Sequence, residues 1–419
     1  MTEGTLSRGE DVYYDPYDYE VDTNAQAVWR RLRDEAPLYW NEKFAFFALS
    51  RYDDVLRAVL DVDTFSSAHG TVLEMMAPER GALPMMIFMD PPEHSWHRRL
   101  VSRAFTARTV AALEERVTRL CAQLLDPFVG IGGFDYVDQF GAIVPPTMIL
   151  ALLGFPEGFE DEWRRGIDHM FHLEQGEAGM RSEEVLLAEE QLDRGDVIGA
   201  GGALGSGVYQ ALPELLARRR RDPQDDLLSA LVHTELDADG ERRPLSDMEI
   251  FSFVQLIAIA GTETVARLLG WVAVLLDQHP DQRELLITEP GLIPNAIEEC
   301  LRFEAPSPVN GRWVTKDAEF QGEVVPKDSK LLLLNGSANR DEHHFPEADR
   351  FDVRRHIDRQ LSFGYGAHFC IGAALARLEG QVALRETLRR FPHWQVDHDR
   401  AEMVRTSTVR GYAKVPITF

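Results

Sequence analysis

The feature that most limits what this chain can fold into is a long apolar helix in its middle. Ser246-Asp247-Met248-Glu249 is a capping-box pattern, in which a serine and a glutamate three residues on satisfy backbone donors at a helix start. It leads into Ile250, Phe253, Val254 and Ile257 and runs on past Thr264 to about Leu276. A helix apolar on most sides has to be buried on most sides, so the rest of the chain must be arranged around it. Its most apolar stretch, 251–260, is interrupted by Ser252 and Gln255 and is too short to span a bilayer. A chain of 419 residues can supply the surrounding core.

Helical periodicity dominates elsewhere too. Asp90-Pro91-Pro92 offers an N-cap followed by prolines suited to a first turn, and the helix it opens carries His94 and Arg98 on one face at i, i+4. Another helix is expected over 371–390, beginning directly after Cys370. Strand signals are few and short: 45–49, 330–334 and the tail 415–419, where Pro416 suits only an edge strand. The expected fold is therefore mainly α with a minor β-sheet, a small β-rich N-terminal part joined to a helix-rich body. No internal repeat is evident, and the motifs below converge on one site, so residues 1–419 are read as a single catalytic domain. Glycines crowd 199–207, where a mobile connection is expected. Arg218 to Arg221 precede Asp222-Pro223 and read as a helix C-terminus complementing its dipole, with a partner site as the alternative.

The formal charge of -25 argues against general affinity for nucleic acid or an anionic membrane. Residues 1–16 are polar and acid-rich, unlike a signal peptide or anchor, so the expected location is cytoplasmic. The three cysteines, Cys121, Cys300 and Cys370, are far apart and odd in number, a poor disulfide framework. Cys121 falls in a helical pattern and reads as buried filling.

Cys370 is different. Phe363-Gly364-Tyr365-Gly366-Ala367-His368-Phe369-Cys370-Ile371-Gly372 sets a thiol at the mouth of a helix behind two glycines that let the backbone turn tightly. A helix N-terminus favours the thiolate, an electron-rich ligand that on haem iron promotes cleavage of dioxygen. Zinc is disfavoured because no second cysteine stands at ligand spacing. Here the chain resembles the cytochrome P-450 family, whose haem loop reads F-G-x-G-x-H-x-C-x-G; all fixed positions match. The resemblance runs from about Tyr13 to Phe419 and is weakest over 173–207.

The resemblance extends to other positions. Glu299 and Arg302 form an E-x-x-R pair three apart on one helix face, common on any exposed helix. The family carries it upstream of the cysteine loop with a further arginine between, which Arg350 matches, giving a buried ion triad that fixes geometry. Cys300 within this motif is then filling, and His343 and His344 read as a solvated loop. His94 and Arg98 match the family's H-x-x-x-R, and Arg312 and His368 match further donors to the propionates of haem b (iron protoporphyrin IX). Phe363, Gly364 and Gly372 complete the expected cofactor contacts, with Ala260 and Gly261 opposite.

Ala260-Gly261-Thr262-Glu263-Thr264 matches the family's A-G-x-E-T. A mid-helix glycine costs about 1 kcal/mol against alanine and needs a reason, such as a ligand beside the backbone. A threonine hydroxyl can bond the carbonyl one turn back. The resemblance gives Thr264 and Glu263 the family's proton-guiding roles, with Val265 where a second threonine is frequent. It implies a monooxygenase in which two electrons and two protons reduce dioxygen and one oxygen atom enters the substrate. Electrons would come from NAD(P)H through a reductase and a ferredoxin or flavodoxin, docking by Arg99, Arg103, Arg108, Arg354 and Arg355. The enzyme is expected to be a monomer.

Met75, Met76, Met85, Met86 and Met89 lie in the family's first substrate-contact region and suit an adaptable pocket, although they could equally pack the loop. With Leu73, Ile87, Leu256, Ile259 and Val309 they imply a small hydrophobic substrate: terpenoid, steroid, fatty acyl or aromatic. A peroxide-using peroxygenase would share Cys370 without needing the acid–alcohol pair, and a haem sensor would need neither that pair nor an apolar cavity.

Overall fold

The structure, a computed structural model, describes residues 12–79, 84–102, 104–164, 207–404 and 406–419. The expected mobile connection at 199–207 therefore lies almost wholly outside the described residues.

The principal helices are α1 (Ala25–Glu35), α2 (Tyr52–Leu60), α3 (Glu93–Ser102), α4 (Glu114–Leu125), α5 (Val144–Leu153), α6 (Gly207–Arg221), α7 (Asp247–Gln278), α8 (Ile293–Phe303) and α9 (Ala373–Arg390). The capping box at the start of α7 forms as expected: Ser246 caps the Glu249 backbone and the Glu249 side chain returns to Ser246. α7 is continuous for 32 residues, so by length and composition it could cross a membrane. Its burial, not its shortness, makes it a core element. Its first half packs with Val101 of α3, Ile149 and Leu150 of α5 and Leu216 of α6. Its second half packs with Val117 and Cys121 of α4, Ile297 of α8 and Val382 of α9. Cys121 and Cys300 are both fully buried, as filling should be.

The strands are β1 (Leu38–Asn41), β2 (Phe46–Leu49), β3 (Phe65–Ser66), β4 (Gly133–Asp135), β5 (Val309–Val314), β6 (Lys330–Leu334), β7 (Gln395–Val396) and β8 (Pro416–Thr418), with three short two-residue to four-residue hairpin pairings besides. Five of them form one sheet in the order β1-β2-β6-β5-β3, with β2 and β6 parallel and the other pairs antiparallel. The tail strand departs from expectation: β8 is the middle strand of a three-stranded sheet, between β7 and β4. Pro416 is tolerated there because it is the first residue of the strand, and β7 pairs only from Ile417 onward.

Two helix ends also differ from the sequence reading. α3 begins at Glu93, and the Asp90 carboxylate accepts from the Ser66 hydroxyl and the Ser67 amide instead of capping the helix. The arginines closing α6 do more than complement its dipole: Arg219 pairs with Asp226 and donates to the Gly154 carbonyl, and Arg220 pairs with Asp247.

Candidate functional site: a cavity between the central helix and the cysteine loop

The cysteine loop is held by its own backbone. Gly364 (φ +63°) and Gly366 (φ +68°) lie in the left-handed region that other residues resist, and the Cys370 amide closes the turn by donating to the Phe363 carbonyl at 2.8 Å. The Phe363 ring lies under the Arg377 guanidinium, 4.6 Å from its centre. Cys370 lines a cavity of about 260 Å³, facing α7. The amides of Gly372 and Ala373 and the charges of Arg98 and Arg377 favour its thiolate, but burial outweighs them and holds the thiol above its ordinary value. The helix mouth alone, on which the sequence reading relied, therefore does not make a free thiolate. Coordination to a metal would, since a coordinating thiol is deprotonated outright.

A chain of buried hydrogen bonds ties this loop to α8. Arg302 forks onto Glu299 at 2.7 and 2.8 Å, both side chains fully buried, and donates to the Asn339 and Ala348 carbonyls. Asn339 accepts from the Leu361 amide and donates to Ser362, whose hydroxyl reaches back to the Leu301 carbonyl. The second guanidinium on Glu299 is that of Arg355, at 3.3 Å and mostly buried, not that of Arg350. Arg350 contributes only its carbonyl, and its side chain is exposed beside Glu347 and Asp352. The triad expected with Arg350 is thus Glu299, Arg302 and Arg355, which also withdraws Arg355 from any docking surface. Arg99 and Arg108 are exposed, Arg354 pairs with Glu289, and Arg103 lies outside the described residues. His344, in the same meander, stacks on Tyr52 at 3.4 Å.

Four basic side chains gather on one side of the cavity. The His94 and His368 rings lie 4.1 Å apart, tilted by 39°, Arg98 donates to the Phe369 carbonyl at 2.6 Å, and Arg312 donates to the carbonyl of its neighbour Gly311. Neither arginine is in an ion pair among the described residues. Burial drops Arg312 to about 10, and burial with the nearby Arg98 drops His94 to about 4. His368 is pushed far down by burial and by Arg312. The buried nitrogens His94 Nδ1 and His368 Nε2 have no hydrogen-bond partner among the described residues. Two guanidinium cations beside two neutral imidazoles with unused ring nitrogens call for an anion. The two propionates of a haem fit that demand, and a soft thiol across the same cavity fits its iron.

Asn310 and Asn335 line the cavity beside these residues, and Asn335 Oδ1 is buried without a partner. The sequence reading missed them. The signal for Asn310 was available, since strand alternation puts positions 310 and 312 of β5 on the same face.

On the opposite wall, Ala260, Gly261 and Thr264 of α7 line the cavity. Thr264 Oγ1 donates to the Ala260 carbonyl at 2.8 Å, one turn back. Gly261 has a packing reason: a Cβ there would come within 2.6 Å of Ile149 Cδ1, so the glycine lets α5 approach. Glu263 does not join Thr264 in the cavity. It is buried on another side of α7, paired with Arg267 at 2.9 Å, and Arg267 also donates to the Tyr412 carbonyl. The one carboxyl group lining the cavity among the described residues is Glu379 of α9, unforeseen from sequence. Its Oε1 has no partner among the described residues, and burial holds it well above the carboxylate range, which favours the neutral acid.

Of the expected substrate contacts, Met86, Ile87 and Leu256 line the cavity, joined by Phe253. Leu73 and Val309 do not: both are buried in another cluster against Trp29 and Leu332, Val309 because it alternates with Asn310 along β5. Ile259 packs against the helices on a different face of α7. Of the five methionines only Met86 reaches the cavity, while Met76, Met85 and Met89 are buried as packing.

Comparison with known proteins agrees with this geometry. The Cytochrome P450 family model matches residues 208–414. Cytochrome P450 123 of Mycobacterium tuberculosis is 38% identical, over 96% of each chain. The 6-deoxyerythronolide B hydroxylase of Saccharopolyspora erythraea is 38% identical over 78% of this chain and 76% of its own. The solved cytochrome P450 CYP109Q5 of Chondromyces apiculatus superposes with a TM-score of 0.81 at 31% identity, covering 97% of both chains. This chain belongs to the cytochrome P450 family, the monooxygenases that bind haem b.

Proposed function

We propose that residues 1–419 form one catalytic unit that oxidises a small hydrophobic substrate with dioxygen, drawing electrons from NAD(P)H through a reductase and a ferredoxin or flavodoxin. The observation that carries this reading is the arrangement around the cavity: Arg98 and Arg312, in no ion pair among the described residues, stand with His94 and His368 on one side, and Cys370 lies at the foot of α9. Cys370 would hold the haem iron, and the four basic residues would hold the propionates, with Asn310 and Asn335 as further amide donors. Bound there, the haem supplies one-electron and dioxygen chemistry that no amino-acid side chain provides.

The chain's own contribution is confinement and proton handling. Met86, Ile87, Phe253 and Leu256 present an apolar wall that binds substrate by excluding water. The Thr264 hydroxyl, anchored on the Ala260 carbonyl, keeps its oxygen free to accept a proton-bearing water at the cavity. Glu263 can pass a proton toward it only by exchanging its Arg267 partner for solvent, because it faces away. The apolar wall and the hydroxylase name of one relative support hydroxylation of a terpenoid, steroid, fatty acyl or aromatic compound. Arg99 and Arg108 are the exposed cations from the docking set that remain available to an acidic electron donor.

The test is the spectrum of the ferrous carbon monoxide complex. A thiolate-type band, far to the red of a histidine-ligated haem, is expected, and a histidine-type band in fresh folded protein overturns the ligand assignment. A screen of hydrophobic metabolites for saturable spin-state shifts, followed by product analysis, then identifies the substrate.

A further inference from the structure

His97 sits one position before Arg98 on α3, buried at 3% exposure and turned away from the cavity toward α7. Its Nδ1 lies 3.0 Å from the Glu93 carbonyl oxygen, and its Nε2 lies 3.4 Å from Glu249 Oε1. Both neighbours are acceptors: a carbonyl has no proton to give, and an ionised carboxylate has none either. A neutral imidazole carries one N–H and could serve only one of them; serving both requires the imidazolium. This contact is the one side-chain hydrogen bond from α3 to α7 among the described residues.

The surroundings support the charged form. The groups facing His97 are Glu249 from α7, Arg243 behind that carboxylate on the hairpin before α7, and Glu93 and His94 on α3 itself. Burial works against protonation, but the bonds to Glu249 and to the Glu93 carbonyl overcome it and raise His97 above its ordinary value. Glu249 is held independently, by Arg243 at 2.8 Å through both terminal nitrogens and by Ser246. The start of α7 therefore stays capped whether or not His97 is present.

We propose that His97 is a positioning residue for the haem: as an imidazolium it pins α3, and with it His94 and Arg98, to the capping box of α7. This rests on the assignment of His94 and Arg98 to the propionates. With a folded pKa above the unfolded one, the clamp is complete below the ordinary histidine range and is lost as pH rises through the folded value. Haem should be held more tightly in mild acid than in mild alkali. His94 is pushed the other way, down to about 4, by burial and the nearby Arg98.

The experiment is haem transfer from the ferric holoprotein to excess apomyoglobin, at about pH 6 and about pH 9, on either side of the histidine range. Wild type should lose haem about tenfold faster at the higher pH, as expected for one charge-assisted hydrogen bond. His97→Leu should lose it at the fast rate at both, and His97→Gln, a neutral donor that keeps one contact, should be intermediate and flat. Wild-type haem loss in the variants, or a retained pH dependence, overturns the clamp. The carbon monoxide spectrum of the same samples separates the two ideas. A missing thiolate-type band in wild type defeats the proposed function, whereas a normal band with unaltered haem loss defeats only the clamp.

Discussion

Arg267 grips Glu263 from one turn further along α7, its Nε at 3.1 Å and its Nη2 at 2.9 Å from the same carboxylate oxygen, with both side chains buried. The acid next to Thr264 is thus a partner in a structural ion pair before it is anything else. Removing one member of a buried pair leaves the other uncompensated and costs about 3–5 kcal/mol. Arg267→Ala should lower urea stability by an amount in that range. Glu263→Gln, which leaves an arginine able to reach the Tyr412 carbonyl, should cost less.

Thr264 is a different case, since its hydroxyl faces the cavity and bonds only within its own helix. Thr264→Ala should keep haem and fold normally but consume NAD(P)H largely without product. Tight coupling of product to NAD(P)H in that variant removes Thr264 from proton handling. Comparing peroxide with a reductase system in both proteins also separates a monooxygenase from a peroxygenase, which gains nothing from the hydroxyl.

The scaffold around Glu299 discriminates between two arginines five residues apart. Arg355→Ala strips a buried partner from Glu299 and removes a donor from each of the Pro346, Glu347 and Arg350 carbonyls. It should cost about 3 kcal/mol in urea and loosen haem. Arg350→Ala removes an exposed side chain and should stay within about 0.5 kcal/mol of wild type.

Why the sequence could be read so far, and no further, follows from the kind of signal each residue carries. Ser246 and Glu249 are legible because a capping box is local: spacing alone determines the contact. Cys370 is legible because residues 363–372 match the family's haem loop at every fixed position, and that match too is set by local spacing. Arg350 was chosen over Arg355 because both lie in an irregular meander, where no periodicity says which side chain turns inward. Val309 and Leu73 are apolar in either setting; alternation with Asn310 and Arg312 along β5 could have turned Val309 away from the cavity, but Leu73 sits in a short turn that offers no such period. Glu379 gave no signal at all: a glutamate on a helix reads as solvated until α4, α7 and α8 are seen to close around it.

Glu379 also sets a pH dependence. Burial raises its folded pKa well above the ordinary carboxylate value, with no charged partner to offset it. The unfolded chain therefore gives up the proton first, and the native state binds more protons than the unfolded one over that interval. The contribution is fully present below the unfolded value near 4.3. Above it, stability falls by about 1.4 kcal/mol per pH unit until the folded value is reached. Glu379→Gln replaces the neutral acid by a neutral amide of the same shape and abolishes that slope. In urea titrations across the pH range the variant should match wild type near the ordinary carboxylate value and exceed it increasingly toward neutrality. Parallel pH profiles for the two proteins mean that Glu379 is ionised in the folded state, in which case its unpartnered oxygen must be served by water entering from the cavity.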